Sequence, residues 1–113
     1  MPFAIGVMGV GGPTKDYKSP RYKGVHQYFR DAMAAPADMP EFKGNVKAVL
    51  TENFWPKDVS EAEEKKRAKK QLTEKEEWAL KNGKSNAGFH YLGSLKCYSQ
   101  IGEALANTII EMK

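Results

Sequence analysis

The segment Gly88-Phe89-His90-Tyr91-Leu92-Gly93-Ser94 carries one of the two histidines in this 113-residue chain and leads into an amphipathic stretch. A histidine on a glycine-flanked loop that opens a helix suits a general base. An imidazole beside a hydroxyl accepts its proton and turns a weak nucleophile into a strong one. The structural alternative is a histidine packed at the start of the helix with its ring on a backbone carbonyl, and spacing alone favours that alternative. The groups such a base would serve are harder to find. The serines are Ser19, Ser60, Ser85, Ser94 and Ser99. None of them follows an N-terminal strand in a Gly-Asp-Ser or Gly-Gln-Ser context. Ser94 and Ser60 read as helix caps and Ser19 as a turn residue. Of the acids, Glu52 and Asp58 lie near the end of the second predicted strand, where sites in open α/β sheets form. Asn86 is the polar side chain nearest to His90.

Other chemistry-bearing residues carry weaker signals. Gly6, Gly9, Gly11 and Gly12 follow an apolar run, as a phosphate-cradling loop would. They lack the Gly-x-Gly-x-x-Gly spacing and any Gly-Lys-Ser/Thr, and they meet Pro13 rather than a helix N-terminus. His26 reads as a boundary residue on a helix. Cys97 reads as a small core residue one turn into the last helix. No cluster of His, Cys, Asp and Glu has metal-ligand spacing, and the sequence calls for no cofactor.

A net charge of +4 raises the question of nucleic acid, but the charge is distributed against it. Glu61-Ala62-Glu63-Glu64-Lys65-Lys66-Arg67 mixes both signs, and Glu61 to Lys65, Glu63 to Arg67 and Glu77 to Lys81 stand at the favourable four-residue helical spacing. Aromatic residues are not interleaved with the basic ones, so the pattern describes a solvated helix face. With 41% hydrophobic and 28% charged residues the chain reads as globular. A single cysteine forms no internal disulfide, and no apolar run has the length of a membrane span. The opening Met1 to Val10 lacks a basic region and is cut by glycine, so it reads as a buried strand rather than a signal peptide.

These residues must be positioned by alternating strands and helices. Phe3 to Val10 is predicted as a buried strand and Lys23 to Ala35 as a helix with the apolar stripe Val25, Tyr28, Phe29 and Ala32. A second strand lies within Asn45 to Phe54, around Val46, Ala48, Val49, Leu50 and Thr51. Ser60 to Asn82 is predicted as one long charged helix, with Ser60 and Glu63 spaced as a capping box. From Leu95 onward, Tyr98, Ile101, Leu105, Ile109 and Met112 recur at helical steps behind a Ser94 N-cap. This order implies a parallel α/β arrangement. Two strands make a poor sheet, so the chain reads as one partial domain over residues 1–113 and as the later part of a larger sheet.

Three blocks carry a family likeness: Pro2 to Pro13; Phe29-Arg30-Asp31-Ala32-Met33 with Val46-Lys47-Ala48-Val49; and Gly88 to Ser94 with Ile101-Gly102. In order and spacing the chain resembles the C-terminal half of the SGNH-type carbohydrate esterases, specifically the sialate O-acetylesterase-like domain. The resemblance implies the C-terminal portion of a flavodoxin-like α/β/α sandwich, with two parallel strands and about three helices. It also implies removal of O-acetyl groups from an acetylated carbohydrate by a serine outside this chain, with His90 as general base. Gly88 and Gly93 would let the backbone bend around it, and the glycines after the first strand would form a loop near the substrate cleft. Full-length members are expected to be periplasmic or secreted. Where the family places an aspartate two or three residues before the histidine, this chain has Ala87 and Gly88.

Two classes of function follow. In the first, the chain is part of a hydrolase completed by an N-terminal half. In the second, it is a non-catalytic α/β remnant or module that binds a second chain or forms a homodimer through its strand edges. Neither class calls for nucleic acid or a membrane as partner.

Overall fold

The computed structural model describes residues 1–113. It is an α/β chain whose elements run β1 (Phe3–Val7), α1 (Pro20–Ala34), β2 (Val46–Leu50), α2 (Lys57–Arg67), α3 (Glu74–Asn82) and α4 (Leu95–Glu111), with short 3-10 turns between them. β1 and β2 pair in parallel, Phe3 opposite Val46 and Val7 opposite Leu50. Both α1 and α4 pack against both strands. α4 covers the face that carries Gly6 and Lys47. A Cβ on Gly6 would lie 3.9 Å from Leu105, and Lys47 pairs with Glu111 at 3.4 Å. Alternation along the strand turns Phe3, Ile5 and Val7 to the other face.

The strands are shorter than their apolar runs. β1 stops at Val7 rather than Val10, because the Gly12 amide turns back to the Gly9 carbonyl and the Gly9 amide leaves the ladder for a side chain. β2 stops at Leu50, and Thr51–Phe54 winds into a 3-10 turn. α1 starts at Pro20 rather than Lys23, with proline at the first position, where its missing amide costs nothing.

The predicted single helix over Ser60 to Asn82 is two helices, giving four α-helices where about three were expected. α2 begins at Lys57 and ends after Arg67, where Lys69 takes φ of 54°. The capping box belongs to α3. Thr73 Oγ1 accepts from the Glu76 amide at 3.2 Å, and the Glu76 carboxylate accepts from the Thr73 amide at 3.1 Å. Ser60 lies inside α2. Glu63 pairs with Arg67 at 3.5 Å and with Lys84, while Lys65 reaches Glu76 at 2.5 Å, so these charges tie the hairpin together.

The core sits away from the sheet. Val59 of α2, Ala79 of α3 and Leu92 form the buried cluster, with Trp55 and Leu80 against it. On the strands only Val7 and Val49 are buried. The expected stripe of α1 faces outward: Val25, Tyr28 and Phe29 are exposed, and the one buried side chain of the helix is Arg30. The result is a chain 53 × 31 × 17 Å across. Its accessible surface is 8050 Å², against about 6,200 Å² for a folded monomer of 12.6 kDa. The radius of gyration is 16.3 Å, where a filled domain of this length has about 13 Å.

The break between α2 and α3 has a direct readout. Native-state hydrogen exchange should find the Gln71 and Leu72 amides, which have no backbone acceptor, exchanging far faster than those of Ala62 and Ala79. Equal protection across Ala62 to Ala79 would restore a single helix.

Candidate functional site

The candidate site lies at the carboxyl ends of the two strands, where three loops meet. The first follows β1 and runs Met8 to Pro13. Gly9 is required there: a Cβ would collide with the backbone of Thr51 and Glu52, so the loops after β1 and β2 touch main chain to main chain. Gly12 has φ of 79°, and a Cβ would lie 2.9 Å from Trp55.

The histidine loop, Gly88–Gly93, is fastened to this junction by Tyr91. The buried Gly9 amide donates to Tyr91 Oη at 2.9 Å. Thr51 Oγ1 donates its proton to the Val7 carbonyl at 2.6 Å. At 2.8 Å, the Tyr91 hydroxyl is then the donor to Thr51. Four groups from β1, its following loop, the 51–54 turn and the histidine loop thus form one directed chain of hydrogen bonds. The bend in the histidine loop falls at Tyr91, Leu92 and Gly93, with φ of 50°, 58° and 58°. Gly88 keeps an ordinary negative φ. Left-handed backbone at two bulky residues is costly, and here it is held by the Tyr91 hydroxyl on one side and the buried Leu92 on the other.

His90 itself is exposed. Its ring stacks edge-on against Phe89, with centroids 4.4 Å apart, and makes no hydrogen bond; its carbonyl accepts from Tyr98 Oη at 2.9 Å. The carbonyl partner imagined for the packed alternative is therefore absent. No serine of the chain bonds to His90 either. Ser94 caps α4 by accepting from the Cys97 amide at 3.2 Å, as expected, and Ser85 Oγ donates to the Gly93 carbonyl at 2.9 Å. None of Asn86, Asp58 and Glu52 is hydrogen-bonded to the His90 ring. Asn86 Oδ1 accepts from the Ala87 amide at 2.7 Å. Asp58 lies in the first turn of α2, and Glu52 is committed to Arg30 at 3.6 Å.

Arg30 was not singled out by the sequence and is the most fully enclosed large side chain of the fold, 1% exposed. Its guanidinium donates to the Gly12 carbonyl at 2.7 Å, the Val10 carbonyl at 2.9 Å and Tyr17 Oη at 3.0 Å. It sits 5.7 Å from the Tyr17 ring centre. Nε alone lacks an acceptor. Tyr17 Oη also donates to the Val10 carbonyl at 2.8 Å and lies 2.8 Å from His26 Nδ1. With the phenol proton on Val10, His26 Nδ1 is the donor to Tyr17. The second histidine, half-buried on α1 as a boundary residue would be, is thus also a support for the glycine loop.

A groove of about 500 Å³ opens beside these loops, and Gly11, Glu52, Asn53 and Trp55 lie on its walls. His90 lines none of the larger cavities. No group of three His, Cys, Asp or Glu could hold a metal ion, and no helix is long and apolar enough to cross a membrane. Comparison with family models, with curated proteins and with solved structures finds no match.

Two predictions follow from the buried groups. Arg30→Met strands the Glu52 carboxylate and two carbonyls and should cost about 3–5 kcal/mol in urea unfolding. Arg30→Lys should recover little, because an ammonium does not span three acceptors. Tyr91→Phe should cost about 1–3 kcal/mol by leaving the Gly9 amide unpaired. Wild-type stability after either change would show that the loops are held by other means.

Burial also pushes the Cys97 thiol above its ordinary value of 9.0. The folded state therefore prefers the neutral thiol. The stability this contributes is fully present below the unfolded value and is lost as pH rises through the folded one. Above pH 9.0, wild-type stability should fall more steeply than that of Cys97→Ala; parallel curves would mean that the thiol is wet.

Proposed function

We propose that the chain is the C-terminal portion of a serine carbohydrate esterase that removes O-acetyl groups from sugars, with His90 as its general base. The observation that carries this reading is the state of His90. Its loop is fixed at the carboxyl ends of parallel strands through Tyr91, yet its ring is exposed and bonded to nothing in the chain. A base held ready in this way serves a hydroxyl that another segment must bring. Backbone amides beside that serine would stabilise the oxyanion, and the His90 imidazole would take the serine proton and return it to the departing sugar. No carboxylate of this chain orients the ring, so His90 works either as a dyad with the serine or with an acid from outside the chain.

The uncovered surface supports the same reading. The excess over a filled domain is about 1,800 Å² on this chain alone, about twice what one partner buries in a standard protein–protein interface. Phe3, Val25, Tyr28 and Phe29 are exposed on β1 and α1, and each of the two strands leaves one edge unpaired.

The same residues favour a second reading, a non-catalytic module that covers them with a second copy of itself. One experiment separates the two. The chain alone should show no His90-dependent turnover of an aryl acetate. Mixed with or fused to the N-terminal half of a sialate O-acetylesterase-like domain, it should gain turnover of acetylated sugar, and His90→Ala should remove about 10²–10⁴-fold of it. A homodimer by sedimentation that shows no turnover in the presence of that half would give the case to the self-associating module.

A further inference from the structure

The charged segment between α2 and α3 is not the solvated face of one helix that its spacing predicts. Of the three carboxylate–cation pairs at four-residue spacing, only Glu63 to Arg67 forms, at 3.5 Å. Lys65 turns instead to Glu76, and Glu61 pairs with Lys57 at 3.9 Å. Five of the six residues Lys65–Lys70 are cationic, and all six are exposed. Lys66, Lys69 and Lys70 enter no ion pair. Neither does Lys75, which lines the same small cavity as Lys65.

Local backbone physics accounts for some of these charges and not for the others. Lys65, Lys66 and Arg67 fill the last turn of α2, where the helix dipole favours cations. Beyond it, α2 closes with the Lys69 amide on the Lys66 carbonyl at 3.1 Å and the Lys70 amide on the Lys65 carbonyl at 3.0 Å. This turn puts Lys69 in left-handed backbone, where glycine is the usual residue. Tyr91 and Leu92 also take positive φ, but a hydrogen bond and burial hold them there. The Lys69 side chain is exposed and bonded to nothing. The following position commonly packs an apolar side chain back on the helix, and here it is Lys70. Lys75 stands in the first turn of α3, at the positive end of that helix dipole. Three departures within Lys69–Lys75, all toward positive charge and none compensated by a contact in the chain, point to an anionic partner outside it.

The kind of anion follows from what accompanies the charge. Lys65 to Glu77 contains no aromatic residue to stack on an unpaired base. Its one large apolar side chain, Leu72, is half-buried, so the turn offers nothing to a bilayer interior. It does offer directional donors, because the Gln71 and Leu72 amides have no acceptor in the chain. Lysines and backbone amides are the groups that contact the phosphates of a duplex. We propose that the α2–α3 turn binds the phosphodiester backbone of a nucleic-acid duplex through Lys66, Lys69, Lys70, Lys75 and these two amides, without reading its sequence. The claim is independent of the esterase reading, since none of these residues takes part in the site at the strand ends.

Fluorescence anisotropy of a short labelled DNA duplex should saturate below about a millimolar at about 50 mM salt. Affinity should fall about a hundredfold by about 200 mM, a log–log slope of about −3 to −4 for four lysine contacts. The deciding variant is Lys69→Gly. Glycine suits the left-handed position, so the urea midpoint should hold or rise. Binding should nevertheless weaken several-fold, with the salt slope flatter by about 1. Lys70→Ala and Lys75→Ala should weaken binding likewise, while Lys43→Ala, exposed before β2, should leave affinity and slope unchanged. The proposal is overturned if the duplex does not bind, or if Lys69→Gly binds it as tightly as the wild type. It is equally overturned if vesicles of phosphatidylserine and phosphatidylcholine, or a thymidine single strand, displace the labelled duplex at a lower phosphate concentration than unlabelled duplex does.

Discussion

A guanidinium taken fully out of water must find compensation for several kcal/mol of lost hydration, and in this chain the search for it organises the site end of the fold. Arg30 projects from α1, accepts a carboxylate partner from the turn after β2, and donates to two carbonyls of the loop after β1 and to Tyr17. Those partners lie on three different segments. None of them would have a reason to adopt its conformation alone: Gly12 is left-handed, Glu52 points inward, and Tyr17 sits between a carbonyl and His26. The charge cannot be neutralised by losing its proton, as a buried lysine might be, so the surrounding chain has to conform to it.

Hydrogen bonds with fixed direction do the same for the histidine loop. The chain from the Gly9 amide through Tyr91 and Thr51 to the Val7 carbonyl can be written with only one order of protons, since a carbonyl cannot donate and an amide cannot accept. This constraint explains why left-handed backbone is tolerated at Tyr91 and Leu92 and why neither glycine alone makes the bend. The backbone at His90 is then fixed through its neighbour Tyr91, while the His90 ring stays uncommitted.

How much of this was legible in the sequence depends on what kind of physics carried it. The parallel strand order and α4 were legible, because continuous apolar runs and a clean three- and four-residue repeat are local signals, and the Ser94 cap follows from the same logic. The split between α2 and α3 was not. Ala68 to Leu72 has no proline or glycine to mark a stop, and Ser60-x-x-Glu63 has the same spelling as the capping box that forms at Thr73 and Glu76. The stripe on α1 was legible as a stripe but not as an exposed one, since periodicity shows which residues share a face and not whether this chain covers it. Arg30, Tyr17 and Tyr91 were missed because their roles are contacts between residues far apart in sequence. The juxtaposition of Tyr91 with His90 was the one local hint. Glu52 was noticed as an acid in the right region but has Arg30 as its partner.

The two halves of the molecule differ in what they still need. At the carboxyl ends of the strands, directional bonds to charged and main-chain groups are satisfied within the chain except at Arg30 Nε, so that geometry is largely preformed. Along the sheet and the outer face of α1, stabilisation comes from apolar burial, which has no direction and grows with the area covered. Phe3, Val25, Tyr28 and Phe29 leave that contribution unrealised. An added strand and helix layer would therefore contribute mainly stability to this chain, while meeting a site end whose loops need little rearrangement. Preorganised groups do not have to be ordered again at the moment of reaction, so under the esterase proposal the histidine loop would already be in place when a nucleophile from elsewhere arrived.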